Sequence, residues 1–326
     1  MAGVTLLEAI KQGLWEEMER DESVFLLGED IGAYGGAFKM TEGFLARFGE
    51  DRVIDTPISE SAIVGAACGA AMMGMRPVAE MQFIDFISCC FDILTNYAAK
   101  SRYRQNIGIP MVVRGPCGGG VHGGPFHSQN VESFFLNTPG LKMVEPSTPY
   151  DAKGLIKAAI RDEDPVLFFE HKLLYRNPKI KQELPAEDYI VPIGKASIRR
   201  EGRDLSIITY GAMVYTALQA AEHLEKEGVD AEVIDLRTLL PFDRATILDS
   251  VKKTNKVMIL HEATKTGGMA GELTAVINEE AFDYLDGPVL RVTSIDTPVP
   301  YAPPLEEFFL PQADDVLKAA RQLAAY

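Results

Sequence analysis

The sequence predicts an α/β protein with largely parallel sheets, split into two domains. Two observations carry this. Short apolar runs of strand length alternate with longer stretches of helical period, the pattern of strand–helix–strand units. The alternation stops across 176–195, where prolines, lysines and acids follow no period, and resumes beyond it. The expected division is a first domain over 1–175, a linker over 176–195 and a second domain over 196–326. With 326 residues and 47% hydrophobic content, the chain can fill two cores.

Each element has a local cause. Thr5-Leu-Leu-Glu8 is a capping box opening a helix that places Leu6, Ile10, Leu14 and Met18 on one side. A strand follows at 24–27. Val53-Ile54 leads through Thr56-Pro57 into a helix over 59–73, whose alanines and glycines suit close approach to a neighbouring backbone. A strand over 78–81, a long helix over 86–102 and a strand over 110–113 come next. A strand at 141–144, a helix at 149–160 and an apolar run at 166–169 complete the first domain. The second reads as strands at 204–210, 231–234, 256–260 and 289–292, with helices at 214–227, 244–253, 269–284 and 314–324. The proline-rich stretch 298–304 predicts a stiff, extended connection.

Composition excludes several partners. A net charge of −15 and a pI near 4.9 repel nucleic acid phosphates and anionic membrane surfaces. No stretch is long and charge-free enough to span a bilayer, and the N-terminus shows no signal-peptide pattern. Cys68, Cys89, Cys90 and Cys117 have no C-x-x-C spacing and read as buried thiols in a reducing, cytoplasmic setting.

Two stretches suggest chemistry. Gly115–Asn130, GPCGGGVHGGPFHSQN, follows an apolar strand and holds two of only five histidines, His122 and His127, in a glycine-rich loop beside Ser128 and Gln129. Glycine lets a backbone approach a ligand closely, and imidazole titrates near neutrality. Gly118-x-Gly120-x-x-Gly123 matches a dinucleotide fingerprint only literally, since no helix opens inside it and no acidic residue follows at the required distance. The second stretch is Asp55-Thr-Pro-Ile-Ser-Glu60, which puts a carboxylate at a helix start among apolar residues. There the helix N-terminus favours the anion while burial favours the acid. Read locally, Glu60 is also explained as a helix-capping carboxylate, and the loop as an ordinary surface loop.

Glu60, the strand end Ala79-Glu-Met-Gln-Phe83 and the His-Gly-Gly-Pro-Phe-His-Ser-Gln loop together resemble the β subunit of the E1 component of 2-oxo acid dehydrogenase complexes, a thiamin diphosphate family. The resemblance runs from Leu27-Gly-Glu-Asp30 through Asp235-Leu-Arg-Thr238 to Asp296-Thr-Pro298. It implies a transketolase-like fold, with an N-terminal pyrimidine-binding domain and a transketolase-type C-terminal domain. It implies that Glu60 hydrogen-bonds N1′ of the aminopyrimidine, that Ile58, Gln82 and Phe86 line the pyrimidine site, and that His127 handles protons around the reacting centre. His122 matches a more variable neighbour, expected to line or order the loop.

The Gly-Asp-Gly…Asn signature that holds the diphosphate through a divalent cation is missing from the chain. The resemblance therefore implies that Mg²⁺ is held by an E1 α subunit, in an α2β2 heterotetramer that shares thiamin diphosphate. It implies oxidative decarboxylation of a 2-oxo acid and reductive acylation of a lipoylated E2 acyltransferase. Substrate cues divide: Phe86 resembles pyruvate-type relatives, whereas 168–176, the two-histidine loop and His261-Glu262 resemble the branched-chain type, which is the expectation, with pyruvate second. An acetoin dehydrogenase β subunit, another thiamin enzyme of the transketolase or deoxyxylulose-phosphate synthase kind, and a non-catalytic assembly subunit are the alternatives. Relatives also hold a structural potassium, for which Met111, Val112, Ala159, Asp162 and Asp164 occupy the comparable places.

Overall fold

The computed structural model describes residues 3–326. They form two compact units: the chain up to Cys117 with Phe134–Ile193, and Gly118–Ser133 with Gly194–Tyr326. The glycine-rich loop, expected in the first domain, thus packs with the second unit.

In the first unit, strands β1 (Val24–Gly28), β2 (Val53–Asp55), β3 (Arg76–Glu80), β4 (Val112–Cys117), β5 (Lys142–Val144) and β6 (Val166–His171) lie in the order β5-β6-β4-β3-β1-β2, all parallel. Strand β1 is buried throughout, as a parallel sheet covered on both faces requires. The helices are α1 (Leu6–Arg20), α2 (Phe44–Phe48), α3 (Glu60–Met72), α4 (Ser101–Gln105) and α5 (Pro149–Arg161). The capping box of α1 forms as its sequence predicts: Glu8 N–H donates to Thr5 Oγ1 at 3.3 Å, and Thr5 N–H to Glu8 Oε2 at 2.7 Å. Helix α1 lies against α5, and Gly13 is the reason it can: a Cβ there would stand 2.5 Å from Ile156 Cγ2.

From β1 the chain moves to β2 on one side, then crosses to β3 on the other. That reversal opens a crevice at the carboxyl ends of β1 and β3, where open α/β sheets bind ligands.

The continuous helix expected over 86–102 is not formed. A 3₁₀ helix spans Ile84–Cys90, a π-helical stretch Ile93–Ala98, and a short α-helix Ser101–Gln105. Side chains compete for the backbone here. Ser88 Oγ donates to the Asp85 carbonyl three residues back, and Thr95 Oγ1 to the Phe91 carbonyl four back. The three helix types differ in period, but the runs here are 7, 6 and 5 residues long, too short for the apolar pattern to separate them.

Segment 176–193 is also not a free linker. Val4 bridges Gln182 as an isolated antiparallel pair, Tyr189 stacks on Tyr150 with centroids 4.6 Å apart, and Asp188 pairs with Lys157 and Arg161 at 2.5 and 3.0 Å. These contacts replace the regular elements whose absence marked the stretch as a connection.

The second unit has strands β7 (Ser197–Arg200), β8 (Leu205–Thr209), β9 (Ala231–Asp235), β10 (Thr238–Leu240), β11 (Val257–Thr264) and β12 (Leu290–Ser294). Five of them form a sheet in the order β12-β11-β8-β9-β7, parallel except for β7, an antiparallel edge strand that the sequence pattern missed because it is short and half-exposed. Helices α6 (Met213–Lys226), α7 (Arg244–Thr254), α8 (Met269–Ala281), α9 (Pro303–Phe309) and α10 (Ala313–Ala324) complete it. Here the order reverses between β8 and β11, so this sheet too has a switch-point crevice.

Candidate active site

The first-unit candidates gather at the β1/β3 crevice. Glu60 is the first residue of α3, whose N-cap, Ser59, offers no side-chain hydrogen bond. Glu60 itself makes no hydrogen bond to a described residue, so its half-buried carboxylate does not serve as a cap. Two residues earlier, Ile58 is 83% exposed, an unusual position for a large aliphatic side chain. Gln82, just past β3, donates from Nε2 to Asp30 Oδ2 at 3.4 Å. Ser61 Oγ donates to the Cys89 carbonyl at 2.5 Å, tying the start of α3 to the 3₁₀ segment that carries half-buried Phe86.

Electrostatics mark the same corner. Burial, and then the like charges of Glu60 and Asp30, push the Glu29 carboxyl upward. The Cys90 thiol is pushed up to about 12, by burial first and then by Cys89 and Glu60. Asp55 closes the crevice wall by accepting from Gly32 N–H at 2.6 Å. A Cβ at Gly32 would stand 2.6 Å from the same carboxylate, so the residue must be glycine.

Beneath the crevice lies a buried ion cluster. Arg114, 2% exposed, donates from Nε and Nη2 to Glu170 at 2.5 and 2.6 Å and pairs through Nη1 with Glu80, while the Tyr175 hydroxyl donates to Glu170 at 2.6 Å. One guanidinium serves two carboxylates, so burial lifts the Glu80 carboxyl above its usual range with Arg114 pulling against it. Strands β3 and β4 are thereby fixed where they release Gln82 and the glycine-rich loop.

The histidine loop packs with the second unit. Positive φ recurs at every second residue: 83° at Gly118, 79° at Gly120, 60° at His122 and 69° at Gly124. Such alternation turns successive N–H groups toward one side, forming a concavity that takes an anion. Two carboxylates fill it. Glu306 accepts from Gly120 N–H at 3.0 Å and His122 N–H at 3.1 Å, and meets His122 Nδ1 at 2.6 Å. Glu262 accepts from Gly119 N–H at 2.6 Å and Asn130 Nδ2 at 2.8 Å. Nearby, Tyr210 donates to Glu132 at 2.6 Å and its ring lies parallel to that of His261. Tyr210 follows β8 and His261-Glu262 lie on β11, so the loop occupies the switch point of its sheet.

Within that loop His127 is half-buried and follows a short 3₁₀ turn, Gly124–Phe126. Ser128 Oγ is buried with no hydrogen-bond partner among the described residues, and a Cβ at Gly123 would stand 2.7 Å from it. Gln129 contributes its carbonyl, which accepts from Gly118 N–H at 3.1 Å and closes the loop's base. His122 is exposed on the rim.

The residues considered for potassium have the following contacts. The Met111, Ala159 and Asp162 carbonyls accept from Val166 N–H, Asp162 N–H and Arg76 Nη1 at 3.0, 3.3 and 3.0 Å. Lys142 Nζ lies 2.7 Å from both Asp162 carboxylate oxygens, and Arg102 Nε lies 2.5 Å from Asp164 Oδ1. Three cationic side chains, Arg76, Lys142 and Arg102, lie against oxygens at this helix end.

Comparison with known proteins decides the family. Residues 2–178 match the transketolase pyrimidine-binding domain, and residues 194–316 the transketolase C-terminal domain. The chain is 54% identical over 329 residues to the 2-oxoisovalerate dehydrogenase subunit beta of Bacillus subtilis (strain 168), covering 100% of both. The chain belongs to the E1 β-subunit family of 2-oxo acid dehydrogenases. It is also 47% identical over 328 residues to the pyruvate dehydrogenase E1 component subunit beta of the same organism, again covering 100% of both. A chloroplastic pyruvate dehydrogenase E1 subunit, beta-2 of Arabidopsis thaliana, is 48% identical over 98% of this chain and 78% of its own. Among solved structures, a split-gene transketolase, an inactive beta4 tetramer, superposes with a TM-score of 0.80 over 99% of both chains at 23% identity, a likeness of fold.

Sequence reasoning missed Glu29, Asp30, Glu306 and Tyr210. Glu29 and Asp30 had a signal, since they directly follow an apolar strand. Glu306 had none: in Pro-Pro-Leu-Glu-Glu-Phe-Phe nothing separates the buried Glu306 from its exposed neighbour Glu307.

Proposed function

We propose that this chain is the catalytic β half of a thiamin-diphosphate-dependent E1 of the acyl-transferring type. It would decarboxylate a branched-chain 2-oxo acid, with pyruvate second, and pass the acyl group to a lipoylated E2 in the cytoplasm. The observation that carries the reading is the pair Ile58 and Glu60. An exposed aliphatic side chain and an unpartnered carboxylate, at the carboxyl ends of a parallel sheet, fit one face and one ring nitrogen of an aminopyrimidine. When bound, thiamin diphosphate supplies the electron sink that decarboxylation requires.

Glu60 is assigned to hold a proton at pyrimidine N1′, with Glu29 as the neighbour whose charge state couples to it. Gln82 and Phe86 orient the ring. His127 moves protons at the reacting carbon and the incoming dithiolane, and Ser128 and Gln129 shape its loop. The diphosphate and Mg²⁺ fall to an E1 α subunit, because the chain lacks the sequence signature for holding them. An α2β2 assembly is supported by the exposed large apolar side chains of Met73 and Tyr103, at 84% and 97%.

The reading is tested in the enzyme reconstituted with its α subunit. Glu60→Gln should slow hydrogen–deuterium exchange at cofactor C2 by at least about 10²-fold, and His127→Ala should lower lipoyl-dependent turnover by roughly 10²- to 10⁴-fold while leaving C2 exchange intact. Wild-type C2 exchange in Glu60→Gln would refute the assignment of Glu60. Parallel assays with branched-chain oxo acids, pyruvate and acetoin decide the substrate.

A further inference from the structure

The second unit uses its switch-point crevice for part of its own chain. We infer that Glu306 is a positioning residue that holds the histidine loop in its working conformation, with Glu262 as a second anchor and His122 as the buckle. This rests on the assignment of His127 given above.

Three observations support it. The carboxyl group of Glu306 is almost fully buried, at 1% exposure, and meets Gly120 N–H, His122 N–H and His122 Nδ1 within 3.1 Å, so its hydrogen-bonding is spent on the loop. The alternating positive φ values turn the N–H groups of Gly119, Gly120 and His122 inward, where each meets a carboxylate. Without it, those N–H groups would be left unpaired at a cost comparable to a hydrogen bond each. And His122, whose φ of 60° is unfavourable for a residue with a Cβ, sits in that conformation where its ring reaches Glu306. The glycines before and after it carry no such penalty. His122 therefore contributes through its grip on Glu306, and His127 five residues on inherits its position.

The identity of residue 122 separates this role from proton transfer. His122→Ala loses the ring contact and keeps the strained backbone, whereas His122→Gly loses the contact and relieves the strain. If His122 were a proton carrier, the two variants would be equally damaged.

The experiment uses the reconstituted α2β2 enzyme and three measurements: hydrogen exchange over 118–124 by mass spectrometry, C2 exchange of bound thiamin diphosphate, and lipoyl-dependent turnover. Glu306→Ala should speed exchange over 118–124 on the order of tenfold or more, lower turnover by at least about tenfold, and leave C2 exchange at the wild-type rate. Glu306→Gln, which keeps one acceptor oxygen, should recover part of both losses, and His122→Gly should exceed His122→Ala in turnover. Unchanged loop exchange in Glu306→Ala, faster exchange with wild-type turnover, or equal damage in the two His122 variants would each overturn the positioning role. Wild-type turnover in His127→Ala would instead sink the catalytic assignment of His127. The loop-exchange result would then still report on Glu306 as an anchor.

Discussion

His261 should make the second unit acid-sensitive in a calculable way. Its Nδ1 lies 3.1 Å from the Ala263 carbonyl and so carries the proton, leaving Nε2 buried with no partner among the described residues. Burial is the main cause that lowers its pKa to about 4, with Arg291 adding to it and the Ala263 contact opposing. A folded pKa below the unfolded value means that the stabilising effect is complete above the unfolded value, near 6.5, and is lost as pH falls toward 4. Between pH 7.5 and 5.5 the unfolded state gains most of a proton and the folded state almost none, a loss of about 1.3 kcal/mol. His261→Gln removes the titration while keeping a similar volume. Hydrogen exchange of β8 and β11 peptides, compared between wild type and variant at each pH so that intrinsic exchange chemistry cancels, reads the difference. Wild type should lose about 1.3 kcal/mol of protection relative to His261→Gln over that interval. A gap of the same size at both pH values would refute the buried neutral imidazole.

Three further outcomes follow from the packing. Arg114→Met strips the guanidinium that pairs with Glu80 and Glu170 and should cost about 3–5 kcal/mol, seen as a large drop in the melting temperature of the first unit. Gly268→Ala would place a Cβ 2.6 Å from His261 Cε1 and from the Thr264 carbonyl oxygen, so about 1–3 kcal/mol should be lost in a region that cannot yield. Cys89 is exposed, against the expectation of a buried thiol, so iodoacetamide at pH 8 should label it and spare Cys90, whose buried thiol is held near 12; peptide mass spectrometry of the full chain would show equal labelling if this is wrong.

Much of the fold was legible because its causes are local. Thr5 and Glu8 announce α1, Thr148-Pro149 announces α5, and apolar runs such as Val166 to Phe169 mark buried parallel strands wherever they occur. Helix type over 84–105 was not legible, since Ser88 and Thr95 divert backbone carbonyls without changing the apolar pattern. Glu60 and the histidine loop were legible through residue type and family resemblance. The clamp on the loop was not, because a carboxylate that folds onto glycine N–H groups looks like any surface glutamate until the chain has closed.

That closure has a timetable. Gly119 meets Glu262 across 143 residues, and Gly120 meets Glu306 across 186. At a synthesis rate of about 5–20 residues per second, the histidine loop leaves the ribosome roughly 10–40 s before its last anchor exists. During that interval the nascent chain carries six glycines within 115–124 and no partner carboxylates for them. Contacts of such separation form late in folding as well, since the chain between them must be ordered first. The histidine loop is therefore among the earlier parts of this protein to be made and among the last to be finished.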